Sequence, residues 1–250
     1  MAGHNKWSKV KHIKARVDVI RGRVFSKCAH EIALAARAGG GDPATNSRLR
    51  TAIDNAKAVS TPKENIERAI KKGTGELGGS AIQEVTYEAY GPSGTAFIIE
   101  MATDNINRTA QDLRTIFSKN NGNVATPGSV SFQFDRKGEI RLSADSVAED
   151  RIMDVAIEAG ADDVQSDETE HILYTAPNEL GTVANLLRGA GLTPVSEKLV
   201  SLPQSPAVVS DLETAKQIMK LYDILDDYAD TLNVFTNFEV ADDVLEQLSA

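Results

Sequence analysis

Apolar residues recur at helical spacing in three stretches of the first eighty residues. The stripes are residues 24, 25, 28, 29 and 32, then 49, 52, 53 and 56, then 66, 69 and 70. Glycines at 39–41 and at 73 end the first and third stretches. Asp42-Pro43 predicts the start of the second helix, and Thr61-Pro62 with Glu64 predicts a capping box at the start of the third. The pattern predicts a three-helix bundle, preceded by an arm at residues 3–19 with no apolar period.

The pattern changes after a glycine-rich segment at residues 73–80, which is typical of a linker. Alternating positions then predict strands over 84–90 and 95–102, a turn at 91–94, a helix over 107–119 and a strand over 129–134. This order of elements predicts the first part of an α/β domain.

The next segment predicts a nearly self-contained unit of the order β-α-β-β-α-β. Its strands are 139–142, 163–165, 172–175 and 194–202, and its helices are 147–159 and 180–189. That order is typical of the ferredoxin-like fold. A strand at 207–209, a helix at 212–228 and a strand at 231–238 then complete the sheet begun at residue 84.

The predicted fold class is therefore α+β multidomain. An N-terminal three-helix bundle with its basic arm occupies residues 1–75. A discontinuous α/β domain comprises residues 80–136 and 203–240, and a ferredoxin-like βαββαβ domain at residues 137–202 is inserted into it.

Charge divides the chain into two opposite parts. Residues 1–72 hold nine Lys and seven Arg against three Asp and three Glu, a net +10, so the total of −9 leaves −19 on residues 73–250. A basic end on an acidic body is typical of a nucleic-acid-binding segment. The alternative is a basic segment that docks on its own acidic domains or forms a solvated surface.

The basic segment supplies the candidate contact residues for nucleic acid. They are Lys6, Trp7, Lys9, Lys11, His12, Lys14, Arg16, Arg21, Arg23, Lys27, Arg68, Lys71 and Lys72. Lysines neutralise phosphates without reading sequence, and aromatic rings between them offer stacking surfaces for unpaired bases. The alternative is a solubilising tail in which Trp7 folds back onto the bundle. No fixed pattern of base-reading Asn, Gln or Arg is found, so sequence-specific readout is not predicted.

Signatures of catalysis and of metal binding are missing from the sequence. It contains no GxxxxGK[ST], GxSxG or HExxH motif. Cys28 and His30 are two residues apart, which places them on different helix faces, and Cys28 is interpreted as a core residue. A single cysteine excludes an internal disulfide, and no apolar run approaches the ~20 residues that span a bilayer. We expect a cytoplasmic protein that is not an enzyme, with no signal peptide, cofactor, metal, membrane partner or small-molecule substrate.

Eight motifs resemble those of the YebC/PmpR family. They are MAGHNKW at 1–7, KHIKA at 11–15, RGRVFSK at 21–27, TPKENIERAIKKG at 61–73, YEAYGP at 87–92, TDNINRT at 103–109, FSKN at 117–120 and PGSV at 127–130. The likeness covers essentially the whole chain. Ala89 and Ser93 stand where glycines are common in the family, and VAT at 124–126 replaces the more typical Leu-Gly-Glu. These departures concern loop geometry.

The resemblance implies an N-terminal helical domain and two α/β domains, one of which interrupts the other. Bacterial members are usually described as DNA-binding transcriptional regulators, mitochondrial relatives are translational activators of cytochrome c oxidase, and some bacterial members look like ribosome-associated factors. No enzymatic activity is implied. The expected partner is DNA, in a transcriptional regulator, or ribosomal RNA with ribosomal protein, in a translation factor. The family's usual name favours DNA, whereas Trp7, the nearby histidines and the acidic body favour RNA.

A second contact surface is predicted around the turn at residues 91–94. Its candidate residues are Tyr90, Gly91, Asp104, Asn107 and Arg108. Gly91 and Gly94 permit positive φ and expose backbone donors, which suits a nucleic-acid backbone or a ribosomal surface. The alternative is that the turn is only a hairpin connection and that Asn107 is a helix cap.

Overall fold

The computed structural model describes the backbone of residues 17–249 and the side chains of residues 24–248. In this part of the chain the α-helices are α1 (Val17–Gly39), α2 (Ser47–Ala58), α3 (Lys63–Gly73), α4 (Ile106–Lys119), α5 (Glu149–Ala159), α6 (Leu180–Gly189), α7 (Leu212–Asp227) and α8 (Asp242–Ser249). The strands are β1 (Gln83–Tyr90), β2 (Ala96–Thr103), β3 (Asn123–Val124), β4 (Phe134–Ser143), β5 (Asp163–Ser166), β6 (Glu170–Thr175), β7 (Ser196–Pro203), β8 (Ala207–Val209), β9 (Thr231–Thr236) and β10 (Phe238–Val240).

The first three helices pack into a small domain around the predicted apolar stripes. Ile32, Leu49, Ile53 and Ile66 are buried together, and Cys28 lies half-buried at the edge of this core. Of the predicted arm, only residues 17–19 are described, and they form the first turn of α1. The three-helix bundle is therefore present, and its first helix begins seven residues before the apolar stripe does.

The predicted start of the second helix at Asp42-Pro43 is wrong. The cap of α2 is Asn46, whose side-chain oxygen accepts a hydrogen bond from the Leu49 backbone N–H at 3.0 Å. The amide nitrogen of Asn46 also donates to the carbonyls of Ala35 and Gly40. Because one buried side chain ties the end of α1 to the start of α2, residues 42–45 form a turn instead.

The capping box predicted at Thr61 and Glu64 is not formed. Pro62 occupies the cap position of α3 and no side chain bonds to the first turn of this helix. Thr61 is buried beside the Cys28 thiol, and its hydroxyl makes no hydrogen bond to the first turn of α3. The proline alone begins α3.

A four-stranded sheet of order β3-β1-β2-β9 forms the middle domain. α4 and α7 cover one face of this sheet, where Phe97, Ile99, Met101, Leu113 and Phe117 are fully buried. The strand predicted over residues 231–238 is broken at Asn237, because its side-chain oxygen accepts from the Ala96 backbone N–H at 2.8 Å. The chain then forms β10, which pairs in parallel with β8.

The strand predicted over residues 129–134 is also wrong. The buried Glu88 carboxylate accepts hydrogen bonds from the backbone N–H groups of Gly128, Val130 and Ser131, at 2.6–3.0 Å. These donors cannot then serve a ladder, and the chain forms a loop with a 3₁₀ turn at Ser131–Gln133. The strand begins only at Phe134.

The inserted unit is an antiparallel sheet of order β5-β6-β4-β7. α5 and α6 cover one face of this sheet around Ile140, Ile152, Leu173 and Leu187. A βαββαβ chain with this strand order is ferredoxin-like. The predicted fold class, α+β with an N-terminal helical domain followed by α/β domains, is confirmed.

The three domains share apolar contacts. The second face of the middle sheet packs Ile98 and Phe235 against Tyr174 and Val200 of the inserted domain. Ala33, Leu34, Ile82, Ala102 and Leu232 join α1 to the same sheet. None of the helices in the described range has the length and apolar character that a membrane span requires.

Candidate nucleic-acid interface

The predicted contact residues fall into three groups in the structure. Lys6, Trp7, Lys9, Lys11, His12, Lys14 and Arg16 lie outside the described residues. Arg21 and Arg23 belong to α1, whose backbone is described there but whose side chains are not. Lys27, Arg68, Lys71 and Lys72 are described in full.

Arg68, Lys71 and Lys72 form an exposed basic cluster at the end of α3, which we call the α3 cluster. Their spacing of three and four residues places them on one side of the helix. Among the described residues none of the three is paired with a carboxylate. Ile66 and Ala69 are buried on the opposite side of α3, so the three cations of the cluster face solvent.

Lys27 is turned towards the body of the protein instead. Its ammonium forms a half-buried ion pair with Asp226, at the end of α7. Arg48 is used in a similar way, because its guanidinium contacts Glu84 of β1 at 2.9 Å and Glu31 at 3.8 Å. Both cations hold the helical domain on the acidic body.

His30 was not among the predicted site residues, yet it lies where the α3 cluster approaches the middle domain. Burial lowers the pKa of its imidazole, and the Lys72 ammonium lowers it further, against the opposing charges of Asp230 and Asp104. His30 is therefore neutral at pH 7 and adds no positive charge to the cluster. Its location depends on the contact between domains, so no pattern in the sequence identifies it.

The five residues of the predicted second surface lie at opposite ends of one hairpin. Tyr90 pairs with Ala96 at the turn end, whereas Gln83 pairs with Thr103 at the other end. Seven residues of extended strand separate the two ends, about 23 Å at ~3.3 Å per residue. The structure therefore does not bring Tyr90 and Gly91 together with Asp104, Asn107 and Arg108 along this hairpin.

At the far end, Arg108 is bound to two carboxylates. Its Nη2 atom lies 3.1 Å from Asp104 Oδ1 and 2.9 Å from Asp230 Oδ2. Burial acts to raise the pKa of Asp230, but hydrogen bonds from Arg108 and Thr109 hold it below its usual value. The helix cap is Asn105, which accepts from the Arg108 backbone N–H, so the alternative assignment of the cap to Asn107 is wrong.

At the turn end, the glycines serve different purposes. Gly94 has a φ of +71° and Ser93 a φ of +56°, so the serine adopts a conformation for which the family commonly has glycine. Gly91 has a negative φ, but an added Cβ would lie 2.5 Å from the Phe97 ring. Tyr90 is half-buried, and its hydroxyl donates to the Ser129 carbonyl at 2.7 Å.

An open cleft of about 400 Å³ lies between the middle and inserted domains and is lined by Glu84, Glu88, Glu100 and Arg136, among others. Glu100 contacts Arg136 at 2.7 Å and accepts from Asn233 at 2.9 Å. Since Glu84 and Glu88 are bonded to Arg48 and to backbone N–H groups, every carboxylate of the cleft has a partner. No cluster of His, Cys, Asp and Glu in the described range is arranged to hold a metal ion.

Comparison with known proteins places the whole chain in one group. The model of the TACO1/YebC protein N-terminal domain matches residues 5–76, and that of the TACO1/YebC second and third domain matches residues 82–238. A probable transcriptional regulatory protein of Akkermansia muciniphila is 61% identical over 250 residues, covering 99% of this chain and 100% of the relative. One from Acinetobacter baumannii is 47% identical over the full length of both chains.

A solved structure agrees with these matches. The crystal structure of a conserved hypothetical protein from Aquifex aeolicus superposes with a TM-score of 0.85 at 45% identity, covering 92% of this chain and 94% of the other. Its similarity extends through all three domains. With family models matching both the helical domain and the two α/β domains, the chain belongs to the TACO1/YebC family, the YebC/PmpR family that its sequence motifs resemble.

Proposed function

We propose that this protein is a cytoplasmic transcriptional regulator that binds DNA through its helical domain and acts without catalysis. The observation that carries the proposal is the α3 cluster: three exposed cations on one helix end, without carboxylate partners among the described residues. The relatives named probable transcriptional regulatory proteins support a regulatory role. The net charge of −19 on residues 73–250 repels a polyanion, so contact is directed to the helical end.

The chemistry of the cluster suits phosphates better than base edges. Besides Arg68, Lys71 and Lys72, the exposed side of α3 holds Lys63, Glu64 and Glu67. Asn and Gln are the side chains that read adenine, and α3 holds only one of them, the half-buried Asn65. Contacts of this kind position a protein on nucleic acid and depend strongly on salt, without specifying a sequence.

A second candidate function follows from the same observation. A surface that binds phosphates without reading bases serves ribosomal RNA as well as DNA, so a translation factor bound to ribosomal RNA and protein is the alternative. The two are separated by ribosome co-sedimentation at low and high salt, run beside promoter-fragment binding with competitor DNA. Binding to the promoter that resists competitor, without ribosome association, supports the transcriptional function. The reverse result supports the translational one.

Charge removal within the helical domain tests the nucleic-acid contact itself. The double variant Lys71→Gln/Lys72→Gln loses two cations that pair with no carboxylate in the described part of the chain. Its matched control, Lys57→Gln/Lys63→Gln, loses two cations that pair with Asp54 and Glu67 on the same domain. We expect the first variant to make the negative slope of log K against log salt for duplex DNA less steep by about two. The control should leave this slope nearly unchanged.

The arm is tested by deletion of residues 1–16, which precede α1. Weaker binding with a flatter salt slope is expected, because this segment holds Lys6, Lys9, Lys11, Lys14 and Arg16. If both the deletion and the α3 variant bind DNA and RNA as the intact protein does, the helical domain is not the contact and the proposed function fails.

A further inference from the structure

The basic residues of the acidic body are almost all neutralised by neighbours. Residues 73–250 contain eleven Lys and Arg. Seven of them pair with a carboxylate: Arg108, Arg136, Lys137, Arg141, Arg188, Lys198 and Lys216. The four that do not pair with a carboxylate among the described residues are Arg114, Lys119, Arg151 and Lys220. Arg151 instead donates to the Ala190 carbonyl.

The other three cations lie on the outer side of the layer formed by α4 and α7. They are Arg114 and Lys119 of α4 and Lys220 of α7. All three side chains are exposed. These helices cover the face of the middle sheet opposite to the one that contacts α1 and the inserted domain. Unpaired cations are thus concentrated on one face of a body whose net charge is −19.

The helix register brings two of these cations close together. Asn121, just beyond α4, donates to Gln217 of α7, and the Tyr228 hydroxyl donates to Asp112 of α4. The helices therefore run antiparallel, and interpolation between these contacts places Lys119 level with residues 219–220. Since packed helices lie about 8–10 Å apart, the ammonium groups of Lys119 and Lys220 flank a single seam.

Carboxylates near this seam are already engaged. Asp112, the only acidic residue of α4, accepts the Tyr228 hydroxyl at 2.7 Å. At the start of α7, Asp211 caps the helix by accepting from Thr214, and Glu213 pairs with Lys216. In the described residues neither Lys119 nor Lys220 forms an ion pair, not even with Asp223, which lies one turn along α7 from Lys220 and has an interaction of its own.

The glycine turn of the predicted second surface adjoins this seam. An added Cβ at Gly122 would lie 3.2 Å from the Gly91 backbone, so the end of α4 and the turn are in close contact. Ser93 and Gly94 are exposed beside it. Lys119 and Lys220 therefore lie near the turn end of the hairpin. At the other end Arg108 is paired with carboxylates.

We propose that Lys119 and Lys220 form a second nucleic-acid contact that binds the phosphodiester backbone; Arg114, five residues before Lys119, lies near Tyr87 of β1 and is not part of it. This surface, the α4–α7 surface, rests on the proposed function and adds to it a place where the acidic body itself touches the polyanion. Two lysines that neutralise phosphates release the counterions condensed on the nucleic acid, so the contact adds affinity and salt dependence but no sequence readout.

The test compares three double variants of the full chain. Lys119→Gln/Lys220→Gln removes the proposed contact. Lys137→Gln/Lys198→Gln removes the same charge from the inserted domain, where both lysines are paired with carboxylates. Lys71→Gln/Lys72→Gln reports on the helical domain. Binding is measured by fluorescence anisotropy from 50 to 300 mM KCl, with a labelled 20-nucleotide single-stranded RNA and a labelled 20-base-pair duplex DNA as probes.

We expect Lys119→Gln/Lys220→Gln to weaken binding by about three- to tenfold at 100 mM KCl. It should flatten the salt slope by about 1.8 for duplex DNA or about 1.4 for single-stranded RNA, and the probe that responds identifies the nucleic acid. Lys119→Arg/Lys220→Arg should restore the slope, because the charge is retained.

Two results would overturn the inference in distinguishable ways. If Lys71→Gln/Lys72→Gln weakens binding while Lys119→Gln/Lys220→Gln matches the inserted-domain control, the α4–α7 surface is not a contact and the proposed function stands. If the intact protein binds neither probe in a salt-dependent manner, the proposed function fails and the second contact fails with it.

Discussion

Individual side chains in this protein decide where the backbone can form regular structure, and Glu88 is the strongest example. Its carboxylate accepts three backbone N–H groups from residues 128–131 and is only 8% exposed. Burial acts to raise the pKa of Glu88, but these donors hold it below the usual value for glutamate. The loop at residues 126–133 is therefore fixed by one charge in the neighbouring strand.

Glu88→Gln should destabilise the protein by about 2 kcal/mol at pH 7, because one accepting oxygen becomes an NH2 group that cannot accept and at least one of the backbone N–H groups loses its partner. A depressed folded-state pKa contributes stability above the unfolded pKa of about 4.3, and this contribution is lost as pH falls through the lower folded value. The difference between intact and variant protein should thus shrink below about pH 4. Urea unfolding at pH 7 and pH 3.5 measures it.

The exposed Glu158 of α5 provides the control, since Glu158→Gln removes one carboxylate from a solvated helix face. A change within about 0.5 kcal/mol is expected there at both values of pH. Equal effects of the two substitutions would mean that the Glu88 carboxylate does not hold the loop.

The residue scale is also where prediction from sequence was least reliable. Asp42 and Asn46 are equally good cap residues by type. Asn46 caps α2 because its amide also reaches the carbonyls of Ala35 and Gly40, which belong to a different helix end. Lys27 and Lys71 are likewise equivalent in sequence. They differ because Asp226, which is 199 residues from Lys27, binds Lys27 and not Lys71.

At the scale of elements, prediction succeeded where an apolar period runs through a whole segment. α6 has the predicted bounds, and α4 begins one residue before its predicted start. Those periods report burial, which the sequence encodes directly. The strand predicted over residues 129–134 failed because its pattern carries no information about Glu88. The residues of the predicted second contact surface lie at opposite ends of the β1–β2 hairpin. Their spacing in the sequence does not show that an extended strand separates these ends.

Close approach between helices is set by a glycine at the end of α3. An added Cβ at Gly73 would lie 2.3 Å from the Ala33 carbonyl oxygen and 2.8 Å from the Ala36 side chain. Gly73→Ala therefore has to push α3 away from α1, and we expect a loss of about 1–3 kcal/mol in stability. The loss is measured as a lower urea midpoint, with the earliest loss of protection from hydrogen exchange in residues 63–73.

Gly181 of α6 is the matched control for this substitution. No atom lies within 4 Å of its would-be Cβ, so Gly181→Ala meets no clash and should leave the urea midpoint unchanged or raise it slightly. A neutral Gly73→Ala would show that the α1–α3 crossing tolerates a wider spacing than the contact distance indicates.

On the scale of the whole molecule, the helical domain is held on the acidic body by directional contacts as well as by apolar packing. Asn55 of α2 donates to the Glu197 carbonyl at 2.8 Å and accepts from the Glu197 backbone N–H at 3.1 Å. β7 is the edge strand of the inserted sheet, so these two bonds occupy backbone groups that no neighbouring strand of that sheet uses. The Asn55 side chain thus forms the two hydrogen bonds that a neighbouring strand would otherwise form with β7, and it links this strand to the helical domain.

This contact links the two proposed nucleic-acid surfaces, because the α3 cluster moves with the helical domain and the α4–α7 surface belongs to the body. Asn55→Ala removes both bonds and leaves the Glu197 backbone groups unpaired, which should loosen the domains and speed hydrogen exchange in residues 196–203. A looser arrangement must be ordered again on binding, so affinity for nucleic acid should fall. The salt slope should stay the same, since no cation is lost.

Ser47, an exposed uncharged residue of the same helix as Asn55, supplies the control variant Ser47→Ala. Affinity and exchange should both stay at the level of the intact protein in that variant. An Asn55→Ala protein with faster exchange at residues 196–203 but undiminished affinity would show that the two surfaces bind without a fixed spacing. A protein with unchanged exchange would show that apolar packing of Ala33 and Leu34 against the middle sheet holds the domains by itself. Only a lower affinity at constant salt slope fits a molecule in which domain geometry contributes to binding.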